Sequence, residues 1–112
     1  MSTLFSKIIN KEIPAKIVYE DDLCLAFEDI NPQAPVHVLL IPKSTHLDRL
    51  SASQSSDSNL LGHLMFKAQE IAKKLHLTDF RIVINNGELA GQTVFHLHIH
   101  ILGGREFHWP PG

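Results

Sequence analysis

His96-Leu97-His98-Ile99-His100-Ile101-Leu102 is the stretch that most restricts how this chain folds. Three histidines alternate there with apolar residues over seven positions. Successive side chains of an extended strand point to opposite faces. The alternation therefore predicts one strand with three imidazoles on one face. Leu97, Ile99 and Ile101 then point the other way, into a core. Neighbouring rings on such a face start about 7 Å apart at the backbone, twice the rise per residue. Imidazoles titrate near neutral pH and serve as metal ligands or as bases and nucleophiles. The functional question is largely a choice between metal binding and phosphoryl chemistry.

The remaining pattern supplies partners for that strand. Apolar residues at 4, 5, 8 and 9 predict a short helix over 4–10, broken by Glu12-Ile13-Pro14. Residues 17–20 and 23–27 read as a hairpin about Asp21-Asp22. Residues 36–41 form a nearly continuous apolar run, as in a strand buried on both sides, which Pro42 should end. A serine-rich loop over 51–58 leads into a helix, with Ser56, Asp57 or Ser58 as candidate caps. Over 59–75, apolar positions 60, 61, 64, 65, 68, 71, 72 and 75 make one helical stripe. Residues 80–84 read as a strand, 85–93 as a loop with two glycines, and 94–102 as the histidine strand. The class is α+β: a meander of about five strands with one long helix and one short one.

At 112 residues the chain is read as a single domain, 1–112, with one core. A formal net charge of −2 argues against a protein held by the phosphates of a long nucleic acid. A short nucleotide remains compatible, because backbone N–H groups and imidazoles can hold one or two phosphates. Cys24 is the single cysteine, so neither a disulfide within the chain nor a cysteine cage for zinc can form. Its apolar surroundings suggest a buried, inert thiol. The N-terminal residues lack the basic start and apolar run of a signal peptide, and no apolar run is long enough to span a bilayer. The expectation is a reducing, cytoplasmic setting.

Two histidines at i and i+2 on a strand can reach one metal, which gives the metal reading physical support. Against it, the motif contains no carboxylate, and His37 would be needed to complete a ligand set. The expectation is therefore no metal and no cofactor. A neutral imidazole is a good nucleophile toward phosphorus near pH 7. His98, the middle ring, is the candidate nucleophile, because clustered imidazoles disfavour one another's protonation. His100 is the candidate for holding phosphate oxygens where negative charge builds up. In the preceding loop, Gly91 permits close backbone approach. The N–H groups of Gly91, Gln92 and Thr93 are candidates for an anion nest, with the Thr93 hydroxyl and Asn85 amide as further donors. Asp29 is a candidate acceptor for a ribose diol, or an ordinary turn acid. His37 is a fourth active-site imidazole or a core histidine. His46, His63, His76 and His108 are read as surface or structural.

The run 96–102 matches the pattern that names the histidine triad family. Phe27 to Pro35, His37 to Pro42, Gly103-Gly104-Arg105 and the ending His108-Trp109-Pro110-Pro111-Gly112 are similar to its nucleotide-binding branch, first described as protein kinase C-interacting protein-like. This resemblance implies a five-stranded antiparallel sheet with two helices, continued across a homodimer. It implies His98 as nucleophile through a nucleotidyl-histidine, His100 at the phosphate oxygens and leaving group, and His96 and His37 in support. It implies Asp29 at the ribose, and Asn85, Gly91, Gln92 and Thr93 on the phosphate side. Phe5, Ile8, Phe27, Ile30 and Leu39 would form the purine slot, and the tail at Trp109 would reach toward the partner's site. The implied activity is hydrolysis of purine nucleoside 5′-phosphoramidates to a mononucleotide and an amine. A non-catalytic nucleotide- or partner-binding module and a dinucleoside polyphosphate hydrolase are the alternatives. Thr93 stands where many relatives carry Ser, and Ala90 where Gly is common.

Overall fold

A computed structural model describes residues 2–112. The first helix, α1 (Leu4–Ile9), is a single short piece held by a reciprocal cap. The Ser6 N–H donates to Thr3 Oγ1, and the Thr3 N–H donates to Ser6 Oγ. Then come β1 (Ile17–Glu20), β2 (Cys24–Glu28), β3 (Val36–Pro42), α2 (Ser58–Lys74), β4 (Phe80–Val83) and β5 (Ile99–Gly103). The strands form one antiparallel sheet in the order β1-β2-β3-β5-β4. The α+β class and the five-strand sheet expected from the sequence are both present, with β1 and β4 at its edges.

The two-residue period sorts the sheet into two faces. Cys24 and Ala26 of β2, Val38 and Leu40 of β3, and Ile99 and Ile101 of β5 are buried together with Leu64, Ala68, Ile71 and Ala72 of α2. The alternate residues Leu25, Phe27, Leu39 and Ile41 pack against Phe5 and Ile8 of α1. The near-continuous apolar run of β3 is explained by this: a helix covers each face of the central strand. The predicted stripe of α2 departs at Met65, which is exposed beside Phe66.

Two expectations need correction. Asp57 is the residue before α2, yet its side chain makes no bond to the helix N–H groups. It accepts instead from the Gln54 N–H at 2.8 Å and bonds His46 Nε2 at 2.7 Å. The histidine strand is also shorter than 94–102. Its ladder to β3 runs only from Val36↔Gly103 to Leu40↔Ile99. Pro42 has no N–H to offer a partner, and the Leu97 N–H is taken by the Leu47 carbonyl at 2.9 Å. Regular pairing therefore stops, and His96 and His98 precede β5 in a bent but still alternating segment. Pro42 itself remains in β3, opposite Cys24.

Candidate active site

The alternation survives the early end of the ladder. Leu97, Ile99 and Ile101 enter the α2 core, while His96 and His98 are buried on the α1 side. The His98 and His100 ring centroids lie 5.1 Å apart, and His37 on neighbouring β3 brings a fourth ring 5.2 Å from His100. Register explains the fourth ring: His37 pairs with Leu102 and Leu39 with His100, so His37 is diagonal to His100 on the same face.

Hydrogen bonds to the backbone set which nitrogen of each ring carries a proton. The Gln33 N–H donates to His37 Nδ1 at 3.0 Å, so neutral His37 carries its proton on Nε2. That Nε2–H lies 2.9 Å from His100 Nδ1 and 3.4 Å from Asp29 Oδ2. His100 Nδ1 therefore accepts, and its proton sits on Nε2. That atom is buried and has no partner among the described residues. His98 runs the opposite way. Its Nδ1–H donates to the His96 carbonyl at 2.7 Å, which leaves an open lone pair on Nε2. His96 Nε2–H donates to the Pro42 carbonyl at 2.8 Å and is spent on structure. The site thus holds one imidazole with a free lone pair beside one with a free N–H.

All four rings are held below the ordinary histidine pKa. Burial is the leading cause for each, and it is opposed at His96 and His98 by their carbonyl partners. His100 is pushed down to about 4, by burial first and then by the charges His98 and His37 would carry. Mutual repulsion, the cause expected from sequence, is real but secondary to desolvation.

A cleft of about 240 Å³ opens over these rings, lined by His98, His100, Thr93, Asp29, Ile30, Phe5, Ile8, Phe27 and Leu39 among others. Phe5 is buried, and its ring meets His98 edge-on at 5.0 Å, so it backs the nucleophile candidate as well as walling the cleft. Asp29 serves as a turn acid and a site acid at once. Its Oδ1 accepts from the Asn31 N–H at 2.8 Å, while Oδ2 faces His37. His37, His96, Asn85, Gly91 and Gln92 are not part of the cleft lining. Trp109 is exposed on the surface of the chain, away from the cleft. A larger open groove of about 670 Å³ lies elsewhere, between residues 76–81 and 104–107, and holds none of the triad.

The loop differs from the expected nest. The Gly91 N–H already donates to the Glu88 carbonyl, and the Gln92 N–H to the Gly87 carbonyl, both at 3.0 Å. Only Thr93 keeps its N–H and hydroxyl free of partners among the described residues. Gly91 takes φ +97°, a left-handed turn that favours glycine. The contributions that sequence reasoning missed are backbone groups: the Gln33 N–H and the carbonyls of His96 and Pro42. No side-chain signal marks such groups. His63 and His46 are surface or structural histidines, but each has an acid partner, Asp21 at 2.8 Å and Asp57 at 2.7 Å.

Among the described residues, two groups bring three metal-capable atoms within 4.8 Å of one another: Asp29–His37–His100 and Asp21–Cys24–His63. In the first, the facing ring nitrogens are bonded to each other. In the second, Asp21 already accepts from Tyr19, His63 and the Leu23 and Cys24 N–H groups.

The model of the HIT domain family matches residues 10–107. The chain belongs to the HIT domain family. It is 69% identical over 111 residues to a HIT-like protein of Synechocystis, covering 98% of this chain and 96% of that one. It is 50% identical to a 14 kDa zinc-binding protein of Zea mays, covering 98% and 88%. The crystal structure of a HIT family hydrolase from Legionella pneumophila superposes with a TM-score of 0.95 at 44% identity, over 99% of this chain and all of that one (100%).

Proposed function

We propose that this HIT-family chain is a hydrolase that cleaves the P–N bond of purine nucleoside 5′-phosphoramidates. The observation that carries this reading is the opposed protonation of two adjacent rings: His98 with a free Nε2 lone pair and His100 with a free Nε2–H. His98 Nε2 attacks the α-phosphorus, forming an N–P bond as the bond to the amine nitrogen breaks. The His100 N–H steadies a non-bridging oxygen where charge accumulates. The departing nitrogen takes a proton from Thr93 or His100 and leaves as a neutral amine. Water then attacks the nucleotidyl-histidine: its oxygen bonds phosphorus as the bond from phosphorus to His98 Nε2 breaks, one of its protons returns to the group that protonated the amine, and His98 is regenerated. Asp29 holds the ribose hydroxyls, and the apolar wall of Phe27, Leu39 and Ile8 takes the base. The name of the Legionella relative supports a hydrolase; the exposed apolar residues Ile30 and Leu4 at the cleft mouth support an aromatic ligand.

A homodimer that continues the sheet belongs to the same proposal, and it must join through an edge strand, β1 or β4. Light scattering at micromolar concentration checks it.

The decisive assay is adenosine 5′-phosphoramidate with and without a chelator. Equal release of AMP in both is expected, with a nucleotidyl adduct trapped on His98 by an alkaline denaturing quench, which preserves the acid-labile N–P bond. His98→Ala should still bind AMP and release none from the substrate. Normal turnover by that variant refutes the nucleophile. Activity lost with chelator and restored by zinc selects the metal reading, which the maize relative's name also raises.

A further inference from the structure

Gln92 neighbours the cleft in sequence but turns its side chain away from it. It is almost wholly buried, 2% exposed, and its amide bonds three backbone groups. Oε1 accepts from the Gly87 N–H at 2.8 Å. Nε2 donates to the Asp48 carbonyl at 2.7 Å and the Val94 carbonyl at 3.1 Å. Its own N–H returns to the Gly87 carbonyl at 3.0 Å. Gly87 and Gln92 are thus bonded in both directions, which closes the neck of the loop containing the 3₁₀ turn Glu88–Ala90. The bond to Asp48 ties that neck to a core anchor, because adjacent Leu47 is buried and its carbonyl accepts from the Leu97 N–H. The bond to Val94 spans Thr93, so the backbone is held on both sides of the one residue here with a free N–H and a free hydroxyl.

We infer that Gln92 is a positioning residue that never touches substrate and sets where Thr93 stands relative to His98 and His100, so that the Thr93 hydroxyl protonates the leaving amine. This deepens the phosphoramidase reading and rests on it. The chemical basis is geometric. Thr93 is exposed and lies in irregular chain, so nothing in regular secondary structure holds it. A displacement of about 1 Å at a reacting group costs on the order of 10²-fold in rate.

The test compares two substrates that place different demands on that proton. One is an alkylamine phosphoramidate of adenosine, whose amine needs a proton to leave. The other is the p-nitrophenyl ester of AMP, whose phenolate leaves without one. Gln92→Met keeps the side-chain length and removes all three side-chain bonds. It should lower kcat for the alkylamine substrate about 10²-fold, while kcat for the ester and the Kd for AMP stay within about twofold of the unaltered protein. Gln92→Asn keeps the neutral amide but is one methylene too short to reach all three partners. Its loss on the alkylamine substrate should be smaller than that of Gln92→Met, and it carries the same comparison if Gln92→Met does not fold. The double variant with Thr93→Ala should be no slower than Thr93→Ala alone.

Equal losses on both substrates, weakened AMP binding, or an additive double variant would each overturn the inference. If the unaltered protein cleaves neither substrate, the phosphoramidase reading fails separately. Amide exchange then decides whether Gln92 holds the loop neck in place. Faster exchange at 87–94 in Gln92→Met, with the sheet unchanged, supports it, and unchanged exchange overturns it.

Discussion

His37 and His100 stand 63 residues apart in the chain, yet their Nε2 and Nδ1 atoms meet at 2.9 Å. The contact dictates which nitrogen of His100 carries the proton. With the Gln33 N–H capping its other side, His37 can only donate, so His100 can only present an N–H. On the proposed mechanism, His37 acts through His100.

His37→Ala removes that constraint and allows His100 to take either tautomer. The kcat for adenosine 5′-phosphoramidate should fall by about 10- to 100-fold, with the Kd for AMP changed much less. Steady-state kinetics and calorimetry separate the two quantities. An equal loss in both would place His37 in binding rather than in orienting His100.

Acid should weaken both stability and turnover. The four clustered histidines have folded pKa values below the unfolded value of about 6.5. Between those limits the unfolded chain binds more protons than the folded one, so unfolding becomes easier as pH falls. The contribution is complete above about 6.5 and is lost progressively toward the His100 value of about 4. Urea midpoints should therefore be level from pH 8 to 7 and drop below pH 6, and kcat/KM should show an acid limb in the same window. Rising stability on acidification through that window contradicts this account.

Cys24 should be unreactive in the folded protein. It is fully buried beside the Asp21 carboxylate, and burial, with that acid's help, pushes its thiol up to about 12. Iodoacetamide should modify it at the rate of global unfolding, and rapidly in urea. Fast labelling under native conditions would show a local opening at the β1–β2 turn.

Gly103 and Gly104 end β5 for different reasons. A Cβ on Gly103 would sit 2.7 Å from both methyls of Leu77, an overpacking that α2's following turn must absorb. Gly104 has φ +91° and a Cβ there would meet Pro35 at 2.9 Å. Each alanine substitution should destabilise by about 1–3 kcal/mol, with Gly104→Ala the less able to relax. Denaturant unfolding measures both.

Much of this architecture is legible in the chain. The 3.6-residue stripe of α2, the hairpin about Asp21 and the apolar run of β3 all mark their elements through burial, which a local pattern records. The face shared by His98 and His100 follows from the same alternation, whereas Phe27 joins it only through the register Phe27↔Leu39↔His100. Other features were not legible because they depend on backbone groups far apart in sequence. The end of the β5 ladder rests on Leu97 choosing the Leu47 carbonyl. The lost nest rests on Gly87 and Glu88 capturing two N–H groups. Gln92 reads as a ligand by its place in the loop and points inward because three backbone partners converge there.

The order of residues by itself determined that three imidazoles share one side of an apolar-backed segment, since alternation is a property of any extended chain. Only the tertiary structure decided what each imidazole can do. An isolated ring exchanges its proton freely between two nitrogens; here the carbonyl of His96, the amide of Gln33 and the ring of His37 each hold that proton in place.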